Sequence, residues 1–165
     1  MQTTHEILVR TKAASRALAS VGQADKERLL LCMADSLLAH EGDILAANAR
    51  DMAASAGVIT PVMADRLLLT DKRIAGMAQG VRDVAHLPDP VGEVLWMRRR
   101  PNGLNIGQKR VPMGVIGIIY EARPNVTVDA AALCFKAGSA CILRGGKEAI
   151  HSNRCAVALM RGALA

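Results

Sequence analysis

With 165 residues the chain is long enough to bury a core, and with 51% hydrophobic and 22% charged residues it has the composition of a folded globular protein. One Trp, one Tyr and one Phe leave almost no rings on which bases could stack, which argues against a single-strand nucleic-acid binder. The net charge of +6 is concentrated in Met97–Arg110, "MRRRPNGLNIGQKR", where Arg98, Arg99, Arg100, Lys109 and Arg110 stand without an acid. That run is short and no groove-reading motif accompanies it, so it reads as a solvated basic hairpin with no nucleic acid as partner.

Residues 1–87 read as helical. Thr3-x-x-Glu6 has the form of a capping box that opens a first helix, with Ile7, Leu8, Ala14 and Leu18 on one broad apolar face and Gly22 after its end. A second helix is expected from about Asp25 to His40, with Leu29, Leu30, Met33, Leu37 and Leu38 at helical spacing. Gly42 separates it from a third, "DILAANARDMAASA", which stops at Gly57. Thr60-Pro61 is a cap followed by proline at the first helical position. A further helix starts at Thr70 and places Ile74, Met77, Val81 and Val84 on one side.

Pro88-Asp89-Pro90 ends the helical region. Two extended segments follow, Gly92–Arg100 and Leu104–Arg110, joined through Pro101-Asn102-Gly103, and Asn-Gly is a strong hairpin signal. A hairpin so polar is only marginally stable alone. The segment 91–111 is therefore expected to be an arm that lies against another chain or another part of a longer protein.

From residue 112 to 165 the pattern is strand, helix, strand, helix. "GVIGIIY" and "ACILRG" are continuous apolar runs, as expected for strands buried on both faces, and "VTVDAAALCFKAG" and "EAIHSNRCAVALMRGALA" read as the helices that follow them. Such a βαβα unit takes a right-handed crossover and a parallel sheet. The fold class is α/β: helices first, a β-hairpin arm, then the start of a Rossmann-like parallel sheet. Two parallel strands cannot cover both faces of a sheet, and the last helix carries no closing glycine or proline, so the chain reads as the first part of a longer protein.

Cys32, Cys134, Cys141 and Cys155 form no CxxC pair, and no Cys/His group has zinc spacing, so no metal is expected. All four sit among apolar residues and read as small hydrophobes, reduced thiols of a cytoplasmic protein. No apolar run reaches the roughly 20 residues that span a bilayer, so no membrane is expected. His5, His40, His86 and His151 read as surface residues.

Chemistry is expected where the two parallel strands end, because ligands of open parallel sheets bind outside the carboxyl ends of the strands. The first end gives Tyr120-Glu121-Ala122-Arg123-Pro124-Asn125 and the second Arg144-Gly145-Gly146-Lys147-Glu148. Arg123, Arg144 and Lys147 offer cations, Asn125 an amide donor, and two helix N-termini offer backbone N–H groups: a suitable place for an anion or phosphate. Gly145-Gly146 lets backbone approach a ligand closely, or is simply a turn. Neither a G-x-G-x-x-G nor a P-loop is present. Asn125 reads equally as an N-cap or as a catalytic donor.

The segment Val111–Asn153, "VPMGVIGIIYEARPNVTVDAAALCFKAGSACILRGGKEAIHSN", resembles the signature region of the γ-glutamyl phosphate reductase (glutamate-5-semialdehyde dehydrogenase) family, within the aldehyde dehydrogenase superfamily. "ILAANARDMAASA" at Ile44–Ala56 and "DRLLLTDKRIAGMAQGVRDVAHLPDPVGEV" at Asp65–Val94 resemble it too, so the likeness covers nearly the whole chain. The resemblance implies an enzyme that reduces L-glutamyl 5-phosphate to L-glutamate 5-semialdehyde with NADPH and releases phosphate, the second step of proline biosynthesis from glutamate. It implies a cysteine thiolate that forms a thioester, a homo-oligomer held by the hairpin arm, and a functional association with glutamate 5-kinase.

Carried over residue by residue, the resemblance makes Asn125 the candidate oxyanion donor, with Arg123 as a rival occupant or a substrate-binding residue. A preorganised donor of this kind contributes roughly 3–4 kcal/mol to the transition state. Tyr120, Glu121, Arg144, Gly145, Gly146 and Lys147 become the cofactor-binding candidates. Arg144 stands where the superfamily usually has a Lys and Lys147 where it has an acid, a pair that suits the 2′-phosphate of NADPH better than a bare ribose. The family's nucleophilic cysteine lies downstream of residue 165. Residues 1–165 are thus expected to be the N-terminal part of the cofactor-binding domain, without the catalytic domain and inactive alone. The competing expectation is a truncated, inactive cofactor-binding or assembly module of the same fold.

Overall fold

The computed structural model describes residues 3–164. Five helices come first: α1 (Thr4–Leu18), α2 (Gln23–Ala39), α3 (Glu41–Ser55), α4 (Pro61–Leu67) and α5 (Asp71–His86). The antiparallel strands β1 (Val94–Arg99) and β2 (Asn105–Lys109) form the hairpin. Then come β3 (Val115–Ile119), α6 (Pro124–Lys136), β4 (Ala140–Arg144) and, after a short 3-10 turn at Lys147–Ala149, α7 (Ile150–Gly162). β3 and β4 pair in parallel, Val115 beside Ala140 and Ile119 beside Arg144, so both strands deliver their carboxyl ends to the same edge. No helix among the described residues is long and apolar enough to cross a membrane.

The core lies among α2, α5, α6 and α7. Leu30, Leu37, Ile74, Val81 and Val128 are fully buried in it, with Met33, Met77 and Met160 filling between them. Flexible Met and branched aliphatics pack this space without rings, as the low aromatic content requires. Thr60 and Thr70 cap α4 and α5 through their hydroxyls, and the Thr3–Glu6 capping box opens α1 with both reciprocal bonds, at 3.2 and 2.9 Å. These local signals act within one turn, which is why they are legible.

The apolar face expected of α1 stays open. Ile7 and Leu8 are 40% and 49% exposed, because α1 lies mainly against the two-stranded β3–β4 sheet, which offers too little surface to cover it. β3 departs from expectation for the same reason: it is half-buried rather than enclosed, and Ile119 is 86% exposed. A two-stranded sheet has two free edges and too few neighbours to cover its outward residues. Cys32 also differs, since it is exposed on α2 rather than packed as a hydrophobe.

Two lysines are buried where the pattern gave no warning. Lys26, on the core face of α2, meets Asp89 at 2.9 Å and fixes the Pro88–Pro90 connector against that helix. Lys136 donates to the Ala85 carbonyl at 2.7 Å and satisfies the carboxyl end of α5. Next to Lys26, Gly138 takes φ +66°, and a side chain there would crowd Pro112 and Val91 at 3.1 and 3.2 Å. The hairpin is exposed along both strands, and Gly103 turns it at φ +87°.

Candidate functional site

The Tyr120 N–H donates to the Arg144 carbonyl at 3.1 Å, one step beyond the last ladder pair, and brings the loops after β3 and β4 side by side. The contact continues through side chains. Tyr120 Oη lies 2.5 Å from Thr127 Oγ1, whose hydroxyl donates to Asn153 Oδ1 at 2.7 Å. Thr127 and Asn153 are buried, and burial raises the Tyr120 phenol above its ordinary value. Tyr120 thereby locks α6 to α7 at the edge where the strands end.

The glycines serve this closure. A Cβ on Gly145 would strike Asn153 Nδ2 and stand 3.1 Å from the Tyr120 ring. One on Gly146 would strike Glu148 and reach the backbone of Glu121 and Ala122 at about 3.4–3.5 Å. The close approach these glycines permit in the structure is therefore to the protein's own loop, and neither has a positive φ.

Two cavities flank the edge. The first, about 340 Å³, lies between the α4–α5 turn and the start of α6, and Arg66, Arg73, Arg123, Asn125 and Asp129 line it. Arg123 is the N-cap residue of α6 and Pro124 its first helical residue. Asn125 is therefore inside the helix, at its second position, and the capping reading falls away. The side chains of both Arg123 and Asn125 are exposed to the cavity. Arg73 is already engaged: it donates to the Asp65 and Leu68 carbonyls and pairs with the Asp65 carboxylate at 2.8 Å. Arg66 approaches Glu121 only to 4.0 Å. Asp129 is exposed to the cavity, and the partial desolvation of its carboxyl beside α5 raises it above the usual carboxylate range.

The second cavity, about 330 Å³, lies between the end of β4 and α7, and Tyr120, Arg144, Gly145, Arg154, Val157 and Arg161 are among its lining residues. Three guanidiniums face it and no carboxylate does, so its donor set suits an anion. Arg144 is folded onto its own loop, donating to the Gly145 carbonyl at 2.6 Å. Lys147 is exposed on the short 3-10 turn and stands outside this lining, as does Glu121. Arg154 and Arg161, seven residues apart on one face of α7, escaped the sequence reading, although that spacing could have revealed them.

Both cavities are held in place by α3. Asn48 donates to the Leu67 carbonyl at 2.8 Å and accepts from the Leu69 N–H at 2.8 Å, which fixes the α4–α5 turn. Asp51 accepts from the His151 and Ser152 N–H groups at 3.0 and 2.7 Å and caps α7 from another helix. Asn48 also donates to Ser152 Oγ at 3.1 Å, so the two sets of bonds join. No local sequence signal marks them, because the partners lie 19 to 104 residues away.

None of the four cysteines lines either cavity. Cys134 and Cys141 are neighbours whose thiols shift in opposite directions, Cys134 lowered by the Cys141 thiol beside it and Cys141 raised by the same neighbour and by burial. Cys134 is 6% exposed and faces no base that would make it a nucleophile.

The helical start, the hairpin and the βαβα edge together define the aldehyde dehydrogenase fold. An acetylating aldehyde dehydrogenase from Geobacillus thermoglucosidasius superposes with a TM-score of 0.68 at 18% identity, over 94% of this chain and 32% of that one. No family model matches the chain. The γ-glutamyl phosphate reductase of Carboxydothermus hydrogenoformans is 59% identical over 156 residues, 94% of this chain and 38% of that protein. The crystal structure of the Thermotoga maritima γ-glutamyl phosphate reductase gives a TM-score of 0.90 at 39% identity, over 93% of this chain and 37% of that one. The chain is similar over nearly its whole length to the N-terminal portion of γ-glutamyl phosphate reductases, and it spans under two fifths of the length of these relatives.

Proposed function

We propose that the protein carrying this chain reduces L-glutamyl 5-phosphate to L-glutamate 5-semialdehyde with NADPH, releasing phosphate, as the second step of proline biosynthesis from glutamate. The observation that carries this reading is the paired edge of β3 and β4: a neutral amide and cations open on one side, and a cavity lined by three guanidiniums opens on the other, in a chain 59% identical to a γ-glutamyl phosphate reductase.

On this reading Asn125 donates to the oxygen of the acyl carbon as charge develops there, with Arg123 as the rival donor or the partner of the phosphoryl group. The start of α6 adds its partial positive charge on the same side. Residues 1–165 then form the N-terminal part of the cofactor-binding domain, with the helices before 87, the arm at 91–111 and the βαβα unit from 112. The thiolate that forms the thioester comes from outside these residues.

Arg144, with Arg154 and Arg161, fits a phosphorylated cofactor, because cations without a facing acid favour a 2′-phosphate over a bare ribose diol. NADPH, when bound, supplies the hydride; Arg144 orients its adenosine end, and Gly145, Gly146, Tyr120 and Glu121 shape the edge it crosses. Lys147 adds charge from the rim. The exposed hairpin, with Trp96 and Met97 open to solvent, serves as the arm that joins copies of the chain.

The test is phosphate-dependent reduction of NADP⁺ with L-glutamate 5-semialdehyde by the full-length protein. Activity that disappears without phosphate supports the reading; its absence sinks the reading. Arg144→Ala combined with Lys147→Ala lowers the preference for NADP⁺ over NAD⁺, and an unchanged preference removes the cofactor assignment.

A further inference from the structure

The cavity between the α4–α5 turn and α6 holds charges of both signs that the reaction as proposed does not use. We infer that it seats the amino-acid end of the substrate: Asp129 receives an α-ammonium group and Arg66 an α-carboxylate, while the reacting acyl carbon lies at Asn125. This rests on the proposed reductase activity and adds what makes the site select a glutamyl group.

The spacing fits. Asn125 and Asp129 are four residues apart on α6, so they share one face and stand about 6 Å apart along the axis. In a glutamyl group four bonds of about 1.5 Å separate the acyl carbon from the α-nitrogen, a zigzag of about 5 Å. A substrate laid along the first turns of α6 therefore brings its ammonium to Asp129 when its acyl carbon reaches Asn125.

The charges fit as well. Among the described residues none donates to the Asp129 carboxylate, which opens onto the cavity and is partly desolvated there. A cation placed beside it relieves that cost. Arg73 cannot be this cation's rival, since its guanidinium is committed to Asp65 and two carbonyls. Arg66 is held only by the 4.0 Å approach to Glu121, and is free to turn onto a carboxylate with its planar fork.

The opposite wall has been left bare. Gly76 lines the cavity in the middle of α5, and a Cβ there would meet nothing within 4 Å. One turn later, a Cβ on Gly80 would stand 3.7 Å from the Asp129 carboxylate. A mid-helix glycine costs about 1 kcal/mol relative to alanine, and Gly76 leaves this wall of the cavity open for a small zwitterion.

The test compares two aldehydes with the full-length protein, NADP⁺ and phosphate: L-glutamate 5-semialdehyde, and glutarate semialdehyde, which lacks only the amino group. Asp129→Asn is expected to raise KM for the first by about 30-fold with kcat nearly held, so that the preference between the two aldehydes collapses toward one. Arg66→Gln is expected to raise KM for both by similar factors, since both carry the carboxylate. Arg66 is exposed, so this variant keeps the test decisive even where Asp129→Asn lowers stability. A preference unchanged in Asp129→Asn, or a loss confined to kcat, overturns the ammonium assignment; an unchanged KM in Arg66→Gln overturns the carboxylate assignment. Wild-type protein inactive with both aldehydes overturns instead the activity on which the inference rests.

Discussion

Asp51, in the middle of α3, accepts both the N–H and the hydroxyl of Ser152 at 2.7 Å, and so caps a helix a hundred residues away. A carboxylate at the amino end of α7 also meets the positive end of that helix's dipole. Asp51→Ala strands two backbone donors and a hydroxyl in a site only 1% exposed for the carboxylate and 0% for Ser152. The expected loss is about 3 kcal/mol, read as a lower urea midpoint with an unchanged slope. Asp51→Asn, which keeps an acceptor, loses less than Asp51→Ala.

What made this bond invisible in the sequence explains much of the rest. Caps such as Thr3–Glu6 and Thr60-Pro61 are local, so residue type and spacing reveal them. The strand–loop–helix alternation from Gly114 onward likewise placed Arg123, Asn125, Arg144 and Gly145 at one edge. Nothing in the helical pattern sets Asn48, Asp51 and Lys26 apart; only the tertiary fold supplies the partners that let them be buried. Asp129 and Arg154 were within reach, since helical periodicity from Asn125 and from Arg161 leads to them. The open face of β3 was not, because an apolar run reads the same whether or not a neighbouring layer covers it.

Lys26 and Asp89 form the buried ion pair that ties the connector to α2, with side-chain exposures of 0% and 9%. Burial raises the Asp89 carboxyl, but the hydrogen bonds from Lys26 and the Val91 N–H and the nearby charges outweigh it, so the net position is below the ordinary 3.8. A carboxyl lowered in the folded state stabilises it fully above its unfolded value, and that stability is lost as pH falls below about 4 through the folded value. The unfolding midpoint of the wild-type protein should therefore drop more steeply below pH 4 than that of Asp89→Asn. Lys26→Met, which leaves Asp89 without its partner, costs about 3–5 kcal/mol at neutral pH, and Lys26→Met combined with Asp89→Asn recovers part of it.

Trp96 is the one tryptophan of the chain and stands 43% exposed on the hairpin, its Nε1–H donating to Gln108 at 2.9 Å and the Arg98 guanidinium 5.7 Å from its ring. Its emission consequently reports the state of the arm alone. If the arm joins copies of the chain, emission shifts to shorter wavelength as concentration rises, in step with the mass seen by sedimentation. Met97→Asp, at a position 63% exposed, should hold both signals at their dilute values while leaving the unfolding midpoint within about 0.5 kcal/mol of the parent. Emission independent of concentration across an association measured by sedimentation would place the contact elsewhere.

Asn125 and Arg123 are separated by different chemistry rather than by position. Both open onto the same cavity, but Asn125 is a neutral donor fixed on the second residue of α6, whereas Arg123 is a charged, longer side chain at the cap. A donor that acts only as the oxyanion forms lowers kcat when removed; a cation that binds the ground-state phosphate raises KM. Asn125→Ala in the full-length protein is therefore expected to lower kcat about 10²-fold with KM nearly held. Arg123→Ala is expected to act chiefly on KM for L-glutamyl 5-phosphate. Because Asn125 makes no cap bond, its replacement should leave stability within about 0.5 kcal/mol, so the loss of rate cannot be ascribed to unfolding. Single-turnover reduction of L-glutamyl 5-phosphate separates the two, and a kcat effect confined to Arg123→Ala would transfer the oxyanion role to the arginine.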